Sequence, residues 1–448
     1  MLRIFKTVFL SLAFFLVILL VTTVNLVDRT PYKKMDFYKS MATRLDSLKL
    51  NYSQSSPTDS IIVGWAEKNI TPDSPAPLAG YGARDPKTYE GILDSIFIKT
   101  IYLETIETKV AIVTADLLII HPEVDQYVTS HLPDNWSRDQ IYFTASHSHS
   151  SIGGWAPKFV GELFAGTYDK DMVEFLGKAV LKTLEEAEIM SNTGSVVYSE
   201  IMADDLMKNR LVKDKGIIDP WLKVLRLQRD STLGLLNIFS AHATCYDHQN
   251  KKLSGDYPGI LNQSLMGDST YSMAAFAAGA VGSMGPNPTN KEEPATEIAT
   301  KLKEQLDLLR FLGAGNPLNS NLKVFRMDLP LRAPQVKIAK HFALRPYLFN
   351  AAFGEYSAQI SVLQLGNLVM IGLPLELSGE LAVPLYQYAR SVGLNLVITS
   401  FNGGYFGYVV KDEWYDLEKY ESRTMSWLGH DSGAYISEVI IKLLDVLK

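Results

Sequence analysis

Residues 140–154 have the sequence QIYFTASHSHSSIGG, a short apolar run followed by two histidines. The run at 141–145 is rich in β-branched and aromatic residues, which predicts a strand. His147 and His149 are two positions apart, so an extended backbone directs both rings to the same face. Imidazole is the commonest protein ligand for divalent metals. The pair indicates a shared metal ion, or one histidine on a metal and the other on a substrate, or ordinary polar residues at a strand end.

Other short apolar runs bounded by turn residues predict further strands, at 109–115, 222–227, 360–365, 368–371 and 395–399. Apolar residues recur at helical spacing in the segments between and after them, at 170–189, 293–312, 379–392 and 434–447. This alternation predicts an α/β (mixed α+β) fold whose helices cover the sheets. Because residues 60–448 exceed the usual size of one core, we expect two packed mixed sheets flanked by helices.

The composition excludes several classes of protein. The 448 residues are 47% hydrophobic and 21% charged, as in ordinary globular proteins. The net charge is -6 and no Lys/Arg stripe is interleaved with aromatic residues, so we do not expect a nucleic-acid partner. Cys245 is the only cysteine, so the chain has no internal disulfide. The motifs GxSxG, GxxxxGK[ST] and HExxH are absent, which argues against a serine esterase, a P-loop kinase or a thermolysin-like protease.

The N-terminus departs from this even composition. Arg3 and Lys6 precede an apolar run at 8–27, which is long enough to cross a bilayer as a helix. The two cations favour an inside N-terminus with the rest of the chain exported. A cleaved signal peptide is the alternative, but the run is long for one and no A-x-A-like site follows it. We therefore predict a membrane anchor with the catalytic domain on the extracytoplasmic side, periplasmic or extracellular.

The chain divides into three predicted regions. Residues 1–28 form the signal anchor or transmembrane helix, and the polar residues 29–59 form a stalk or linker, partly helical at best. From residue 60 to 448 the composition is uniform, without a Pro/Ser-rich linker or repeat, which predicts one catalytic domain.

Three later segments contain further candidate residues. His242 follows an apolar run, where a histidine is more often a hydrogen-bonded core residue than a metal ligand. The segment AAFAAGAVGSMGPN at 274–287 permits a close backbone crossing, since glycine tolerates unusual backbone angles. Glu376 lies at the end of a predicted strand. Periodicity gives none of the three a catalytic role.

Taken in order, these segments resemble the neutral (non-lysosomal) ceramidase family from about residue 63 to the end of the chain. The motifs that carry the resemblance are AEKNITP at 66–72, AGYG at 79–82, HSHS at 147–150, NR at 209–210, HAT at 242–244, SGD at 254–256, GSMGPN at 282–287, PLE at 374–376, NGGYFGY at 402–408 and YE at 420–421. Their order and co-occurrence are more specific than any single motif.

The resemblance implies a site with one zinc ion. Its ligands would be His147, His242, Glu376 and Tyr408. Two imidazoles, a carboxylate and a phenolic oxygen leave room for a water whose pKa the metal lowers.

The same resemblance assigns roles to other residues. It implies that His149 and Arg210 hydrogen-bond the reacting centre, with His149 stabilising the developing oxyanion. Asp256 would support the site, or would instead be a turn residue capping the loop 255–259.

Two departures from the family pattern bear on activity. Gly285 stands where the family has a catalytic serine, and the nearby hydroxyl belongs to Ser283, two positions earlier. The chain also stops where family members often continue into a C-terminal β-sandwich domain. Attack by zinc-activated water is compatible with both departures, but ceramide becomes a less secure substrate.

We expect a zinc-dependent hydrolase that cleaves the amide of a ceramide-like N-acyl lipid, or of an N-acyl small molecule, and releases a fatty acid and an amine. The membrane is contacted through the N-terminal helix, and no protein partner is inferred. One alternative is a zinc hydrolase of another amide or ester, or of a cell-envelope conjugate. The other is a non-catalytic family member that keeps zinc and binds lipid. An open cavity with an apolar wall reaching the site residues would favour the hydrolase.

Overall fold

The computed structural model describes residues 2–52, 60–84, 87–313 and 315–448. The α-helices in these ranges are α1 Leu2–Thr23, α2 Asp36–Asn51, α3 Pro122–Ser130, α4 Lys158–Ala165, α5 Lys170–Ile189, α6 Asp256–Gly267, α7 Pro294–Phe311, α8 Pro346–Phe353, α9 Gly379–Ser391 and α10 Ser432–Leu447.

The strands before residue 250 are β1 Val24–Leu26, β2 Ile61–Asn69, β3 Gly91–Ile92, β4 Phe97–Glu104, β5 Lys109–Ala115, β6 Ile141–Ala145, β7 Asn192–Met202, β8 Met207–Asn209, β9 Trp221–Arg229 and β10 Thr232–Phe239. Those after it are β11 Lys252–Leu253, β12 Met273–Ala278, β13 Met284–Pro286, β14 Leu322–Asp328, β15 Lys337–Ala339, β16 Phe342–Leu344, β17 Gln359–Leu365, β18 Leu368–Leu373, β19 Glu376–Leu377, β20 Asn395–Ser400 and β21 Tyr408–Val409.

Two mixed sheets form the centre of the fold. The larger has the strand order β12-β10-β9-β7-β2-β4-β5-β6, and the smaller has the order β14-β17-β18-β20. Each contains parallel pairs, β5 with β6 and β10 with β12 in the larger sheet and β18 with β20 in the smaller one. The remaining neighbours within these two sheets are antiparallel.

The two sheets pack face to face and are covered by helices. Trp65 and Ile112 of the larger sheet share one buried cluster with Leu363 and Met370 of the smaller sheet. Helices α3 and α5 cover the other face of the larger sheet, and α9 and α10 cover that of the smaller sheet. The predicted α/β fold of two packed mixed sheets flanked by helices is therefore confirmed, and every predicted strand and helix of the domain is present with small shifts at its ends.

The N-terminal helix begins and ends earlier than predicted. Among the described residues α1 is the one helix long and apolar enough to cross a membrane, and its apolar side chains are exposed. It ends at Thr23, whereas the predicted span covered 8–27, because residues Val24–Leu26 form β1 and pair with β16. Residues 24–26 of the predicted span therefore lie in a strand, and Val27 donates its backbone N–H to the His341 carbonyl at 3.0 Å.

The segment predicted as a stalk packs on the domain in this structure. Helix α2 buries Met41 and Leu45 in the same cluster as α9 and α10. The polar residues of α2 lie on its outer face, which is why the composition indicated a linker. Residues 53–59, the turn-rich end of the predicted stalk, lie outside the described residues.

Candidate active site

Loops that follow strands of both sheets meet at one end of the fold. The loop after β6 carries His147 and His149, the loop after β10 carries His242, and the segments after β18 and β20 carry Glu376 and Tyr408. Hydrogen bonds between loops hold this arrangement, for example from Ser400 Oγ to the Gly279 carbonyl at 2.8 Å. The order of the elements along the chain thus explains why motifs far apart in sequence gather at one place.

Backbone carbonyls orient the rings of His147 and His242. Nδ1 of His147 donates a hydrogen bond to the Leu118 carbonyl at 2.7 Å, and Nδ1 of His242 donates to the Met284 carbonyl at 2.9 Å. Since a carbonyl only accepts, Nδ1 carries the proton and Nε2 keeps a free lone pair. Burial lowers the pKa of His147 to about 3 and the pKa of His242 well below its usual value, so both rings are neutral at physiological pH.

His147 has an unusual backbone and a fixed ring plane. Its φ is 63°, a left-handed conformation that is uncommon for residues other than glycine. Phe401, which also has a positive φ of 67°, stacks on the His147 ring with a centroid distance of 4.1 Å and an angle of 13°. Such backbone conformations cost free energy and concentrate at functional sites.

Glu376 and Tyr408 are adjacent because their short strands pair. Strands β19 and β21 are parallel with Glu376 opposite Tyr408. Glu376 Oε2 lies 2.7 Å from His242 Nε2, and Glu376 Oε1 lies 3.8 Å from His147 Nε2. The Tyr408 hydroxyl lies 3.0 Å from His242 Nε2. The structure thus brings together the four residues that the resemblance implied as metal ligands.

These contacts place acceptor atoms against one another. His242 Nε2 carries a lone pair, and the facing Glu376 Oε2 is buried and makes no hydrogen bond within the described part of the chain. A divalent cation satisfies such a pair, and zinc accepts both nitrogen and oxygen donors. Ligand nitrogens of His147, His149 and His242 lie within 4.8 Å of one another. The cluster therefore fits a metal ion, and His149 lies within reach of it along with the predicted ligands.

The motif AGYG at 79–82 packs behind His149. Arg84 is buried, and its guanidinium donates hydrogen bonds to the His149 carbonyl at 2.8 Å and to the Ala79 carbonyl at 3.0 Å. The Tyr81 ring lies 4.9 Å from the His149 ring. Gly80 has a φ of +117°, and a Cβ added there would lie 2.6 Å from His149 Cα. The close contact at Gly80 and the hydrogen bond from Arg84, just after the motif, thus fix the backbone of His149.

The His149 side chain is less constrained than its backbone. Its Nε2 lies 3.1 Å from His147 Nε2, and its Nδ1 is buried without a hydrogen-bond partner among the described residues. Burial holds the pKa of His149 well below its usual value, so the ring is neutral. A neutral ring has one donor and one acceptor nitrogen, so with the proton on Nε2 it can donate one hydrogen bond from the nitrogen that faces the cluster.

Arg210 places a permanent positive charge beside the cluster. Its Nη2 donates to the Tyr408 hydroxyl at 2.8 Å and lies 3.0 Å from His242 Nε2, and its Nε forms an ion pair with Glu421 at 3.0 Å. Burial opposes the charge, but Tyr408, Glu421 and Glu376 outweigh it and raise the pKa of Arg210 above its usual value. Arg210 therefore stays charged at every relevant pH.

Asp256 supports the loop that follows His242. It is buried at the start of α6, and its carboxylate accepts hydrogen bonds from the backbone N–H groups of Tyr257 at 2.7 Å, Tyr246 at 3.2 Å and Cys245 at 3.3 Å. Burial raises the pKa of Asp256 to about 6. It therefore lies in the first turn of α6 and holds a segment that begins three residues beyond His242.

The structure does not bring Ser283 to the histidines. Its hydroxyl donates to Glu380 Oε2 at 2.5 Å and accepts from the Gly379 N–H at 3.1 Å. Gly285 instead faces Arg210, since a Cβ added at Gly285 would lie 3.6 Å from Arg210 Cδ. Both hydrogen bonds of Ser283 are structural, joining β13 to the start of α9.

An open cavity with an apolar wall leads to the cluster. It has a volume of about 70 Å³ and ends at His147, His149, Glu376 and Tyr408. Aromatic and aliphatic side chains form the rest of the wall, among them Ile119, Trp155, Phe164, Phe353, Met425 and Trp427. A long apolar approach to a polar end is the arrangement expected of a site for an acyl chain.

Several residues of the site were not identified from the sequence. Tyr405 donates from its hydroxyl to Glu376 Oε1 at 2.6 Å, and Phe401 and Glu421 contact His147 and Arg210 as described. Tyr405 and Glu421 belong to quoted motifs, NGGYFGY and YE, so the resemblance marked their segments but not their roles. His121 lines the cavity with Trp155 and gave no local signal.

The chain is similar to known proteins over most of the domain. A family model described as neutral/alkaline non-lysosomal ceramidase, N-terminal, matches residues 62–304. A neutral ceramidase from Mycobacterium tuberculosis is 21% identical over 249 residues, 48% of this chain and 39% of that protein. The match therefore spans well under half of that relative's length.

Two solved structures have a similar fold. The crystal structure of a neutral ceramidase from Pseudomonas aeruginosa has a TM-score of 0.77 at 17% identity, covering 88% of this chain and 75% of that one. A ceramidase complexed with C2 has a TM-score of 0.75 at 17% identity, covering 87% and 75% of the two chains. At this identity the similarity concerns the fold.

Proposed function

The chain belongs to the neutral/alkaline non-lysosomal ceramidase family, and on that premise we propose that it hydrolyses the amide bond of a ceramide-like N-acyl lipid. The observation that carries this proposal is the apolar cavity that ends at the buried cluster of His147, His149, Glu376 and Tyr408. The apolar wall suits an acyl chain whose amide lies at the polar end.

We propose that His147, His242, Glu376 and Tyr408 hold a zinc ion. The support is the chemistry of the donor set, with two neutral imidazoles whose Nε2 atoms carry no proton and a carboxylate oxygen that is buried without a hydrogen bond in the described part of the chain. When bound, zinc supplies a Lewis acid that polarises the amide carbonyl and lowers the pKa of a water molecule. Tyr405 and the two backbone carbonyls orient these ligands.

The remaining polar groups act on the charge that develops at the amide carbonyl. Arg210 donates N–H groups and stays charged. The neutral His149 ring can donate one hydrogen bond from Nε2, and its Nδ1 has no partner among the described residues. Donors positioned in advance in a site shielded from water are worth more than in solution. The apolar wall excludes bulk water and holds the acyl chain.

In this proposal the reaction does not need the family serine that Gly285 replaces. Ser283 is engaged by Glu380 and Gly379, so we assign it a structural role and leave the stabilisation of charge to Arg210 and His149. Asp256 is a positioning residue for the loop after His242.

We also propose that α1 remains in the mature protein as an anchor and that the domain lies on the extracytoplasmic side. Support comes from the cations Arg3 and Lys6 before the apolar run and from the exposure of its side chains. A secretory signal sequence near the N-terminus is the alternative, and the two are distinguished by the N-terminus of the mature chain.

The test is incubation of the purified full-length protein with a panel of N-acyl lipids and N-acyl amino acids, with fatty acid and amine both measured. We expect equal amounts of the two products from at least one long-chain N-acyl lipid, and their loss in a His242→Ala variant. A protein that binds these lipids but releases neither product would contradict the proposal.

Gly285 favours a second candidate function, a zinc-containing family member that binds lipid without cleaving it. Lipid binding that is unchanged by His149→Ala, with no product from the wild type, would support this candidate.

A further inference from the structure

The end of α1 packs against the folded domain. Backbone hydrogen bonds pair β1 with β16, from Val24 opposite Leu344 to Leu26 opposite Phe342. At the end of α1, Thr22 and Thr23 offer carbonyls that have no partner inside the helix. The Tyr347 hydroxyl donates to the Thr22 carbonyl and the Arg345 N–H donates to the Thr23 carbonyl, both at 2.9 Å. The helix end is therefore fixed directly against the start of α8.

The same elements build the mouth of the cavity. Helix α8 ends at Phe353, which lines the cavity together with Trp427 at a ring distance of 5.0 Å. Helix α4 packs against α8 and adds Val160 and Phe164 to the wall. On the other side, Arg423 donates to the Ile338 carbonyl at 3.1 Å, which joins β15 to the segment that carries Tyr420 and Met425. Each side of the mouth is therefore connected to α1 through one or two intervening secondary-structure elements.

Large apolar side chains are exposed on these elements. Phe159 of α4 is 72% exposed, and Tyr347 of α8 and Phe342 of β16 are about half exposed. Tyr347 and Arg345 contact the last turn of α1, the level at which tyrosine and arginine side chains meet lipid headgroups. The surface of a bilayer spanned by α1 would therefore lie beside the face from which these side chains project.

We propose that this face docks on the bilayer that α1 spans, with Leu26, Phe159, Leu163, Ile338, Phe342 and Tyr347 in the headgroup region. The cavity then opens towards the lipid, and a substrate molecule enters from the membrane without crossing bulk water. The partner is a lipid surface, since the face is apolar and is fixed to a membrane-spanning helix. The inference about substrate entry rests on the proposed hydrolysis, whereas the docking rests only on the proposed anchor.

Position 159 tests the docking by a measurement that needs no activity. The full-length protein is reconstituted into phosphatidylcholine vesicles, with a fluorescent label on Phe159→Cys in a Cys245→Ala background. The matched control is Phe311→Cys, because Phe311 is also highly exposed, at 87%, but belongs to α7, which packs on α6 and β7. We expect nitroxide-labelled lipids to quench the label at 159 strongly and the label at 311 weakly. Equal quenching at both positions, or none at 159, would overturn the proposal.

A second measurement tests substrate entry. For Phe159→Ser and Phe311→Ser, hydrolysis of a long-chain N-acylsphingosine in vesicles is divided by hydrolysis of a short-chain, water-soluble N-acyl substrate. We expect this ratio to fall roughly tenfold for Phe159→Ser, because an exposed ring no longer enters the headgroup region, and to stay constant for Phe311→Ser. An unchanged ratio for Phe159→Ser would contradict entry from the membrane. If neither substrate is hydrolysed, the proposed function fails while the quenching experiment still decides the docking.

Discussion

Substituting Gly80 by alanine should disturb the site through the backbone of His149, without changing the chemical groups that face the substrate's amide. A Cβ at this position would lie 2.6 Å from His149 Cα and 2.7 Å from the His149 carbonyl oxygen. Both neighbours are backbone atoms, which cannot rotate away as a flexible side chain can. The backbone φ of +117° is in addition one that alanine rarely adopts.

The expected size follows from these two effects. A strained backbone conformation costs about 1–3 kcal/mol, and overpacking of a close contact costs about 1–3 kcal/mol more. If the fold absorbs both, the free energy of unfolding falls by about 2–6 kcal/mol. If instead the His149 backbone moves by about 1 Å, the unfolding energy changes less and turnover falls roughly 100-fold.

The assay measures urea unfolding and turnover for Gly80→Ala, with Gly82→Ala as the matched control in the same motif. A Cβ at Gly82 would meet the Leu163 side chain at 3.3 Å, and that side chain can shift. We expect Gly82→Ala to stay within about threefold of wild-type turnover and 1 kcal/mol of its stability. The reasoning is refuted if Gly80→Ala matches Gly82→Ala in both measurements.

Four further predictions concern the metal, the buried network and the anchor. Elemental analysis should find about one zinc per chain. The zinc should be lost in His147→Ala but kept in His149→Ala, where only turnover falls; equal loss of zinc in both variants would contradict this assignment. Ser283→Ala should lower turnover less than tenfold but cost about 1–3 kcal/mol of stability, because Glu380 Oε2 and the Gly379 N–H both lose the Ser283 hydroxyl as a partner; a thousandfold loss of turnover at normal zinc content would show a catalytic role. Glu421→Gln should keep zinc yet reduce turnover more than tenfold, since Arg210 loses its ion-pair partner; unchanged turnover would contradict this. The full-length protein should stay with membranes after a carbonate wash and keep its N-terminal residues, whereas a soluble chain starting near Tyr32 would show cleavage.

Local patterns predicted the regular elements well because they depend on near neighbours in the chain. The strand Lys109–Ala115 and the helix Lys170–Ile189 have the predicted bounds. The strand is a short apolar run, the helix has apolar residues at helical spacing, and turn residues flank both. The N-terminal region was predicted less well. The end of α1 depends on the pairing of β1 with β16, and the packing of α2 depends on α10, both distant in sequence.

The candidate site shows the same limit. The spacing of His147 and His149 was visible locally, whereas His242, Glu376 and Tyr408 were identified only through the family resemblance. Their proximity results from loops of two sheets meeting at one end, which no local pattern expresses. Tyr405 was missed because its role lies in a single hydrogen bond to Glu376.

Gly285 replaces a side chain without disturbing the framework around it. Strand β13 pairs with β8 through Met284 opposite Asn209, and the Met284 carbonyl holds the His242 ring. The Ser283 carbonyl accepts a hydrogen bond from the backbone N–H of Arg210 at 2.9 Å. These contacts are made by the backbone, so they do not depend on which side chain stands at 285. Because a Cβ there would lie 3.6 Å from Arg210 Cδ, a side chain at this position would border the Arg210 side chain. The departure therefore removes a side chain beside Arg210 while the orientation of His242 and Arg210 is kept, so the framework for the proposed hydrolysis is intact and measurement of product release separates it from the non-catalytic candidate.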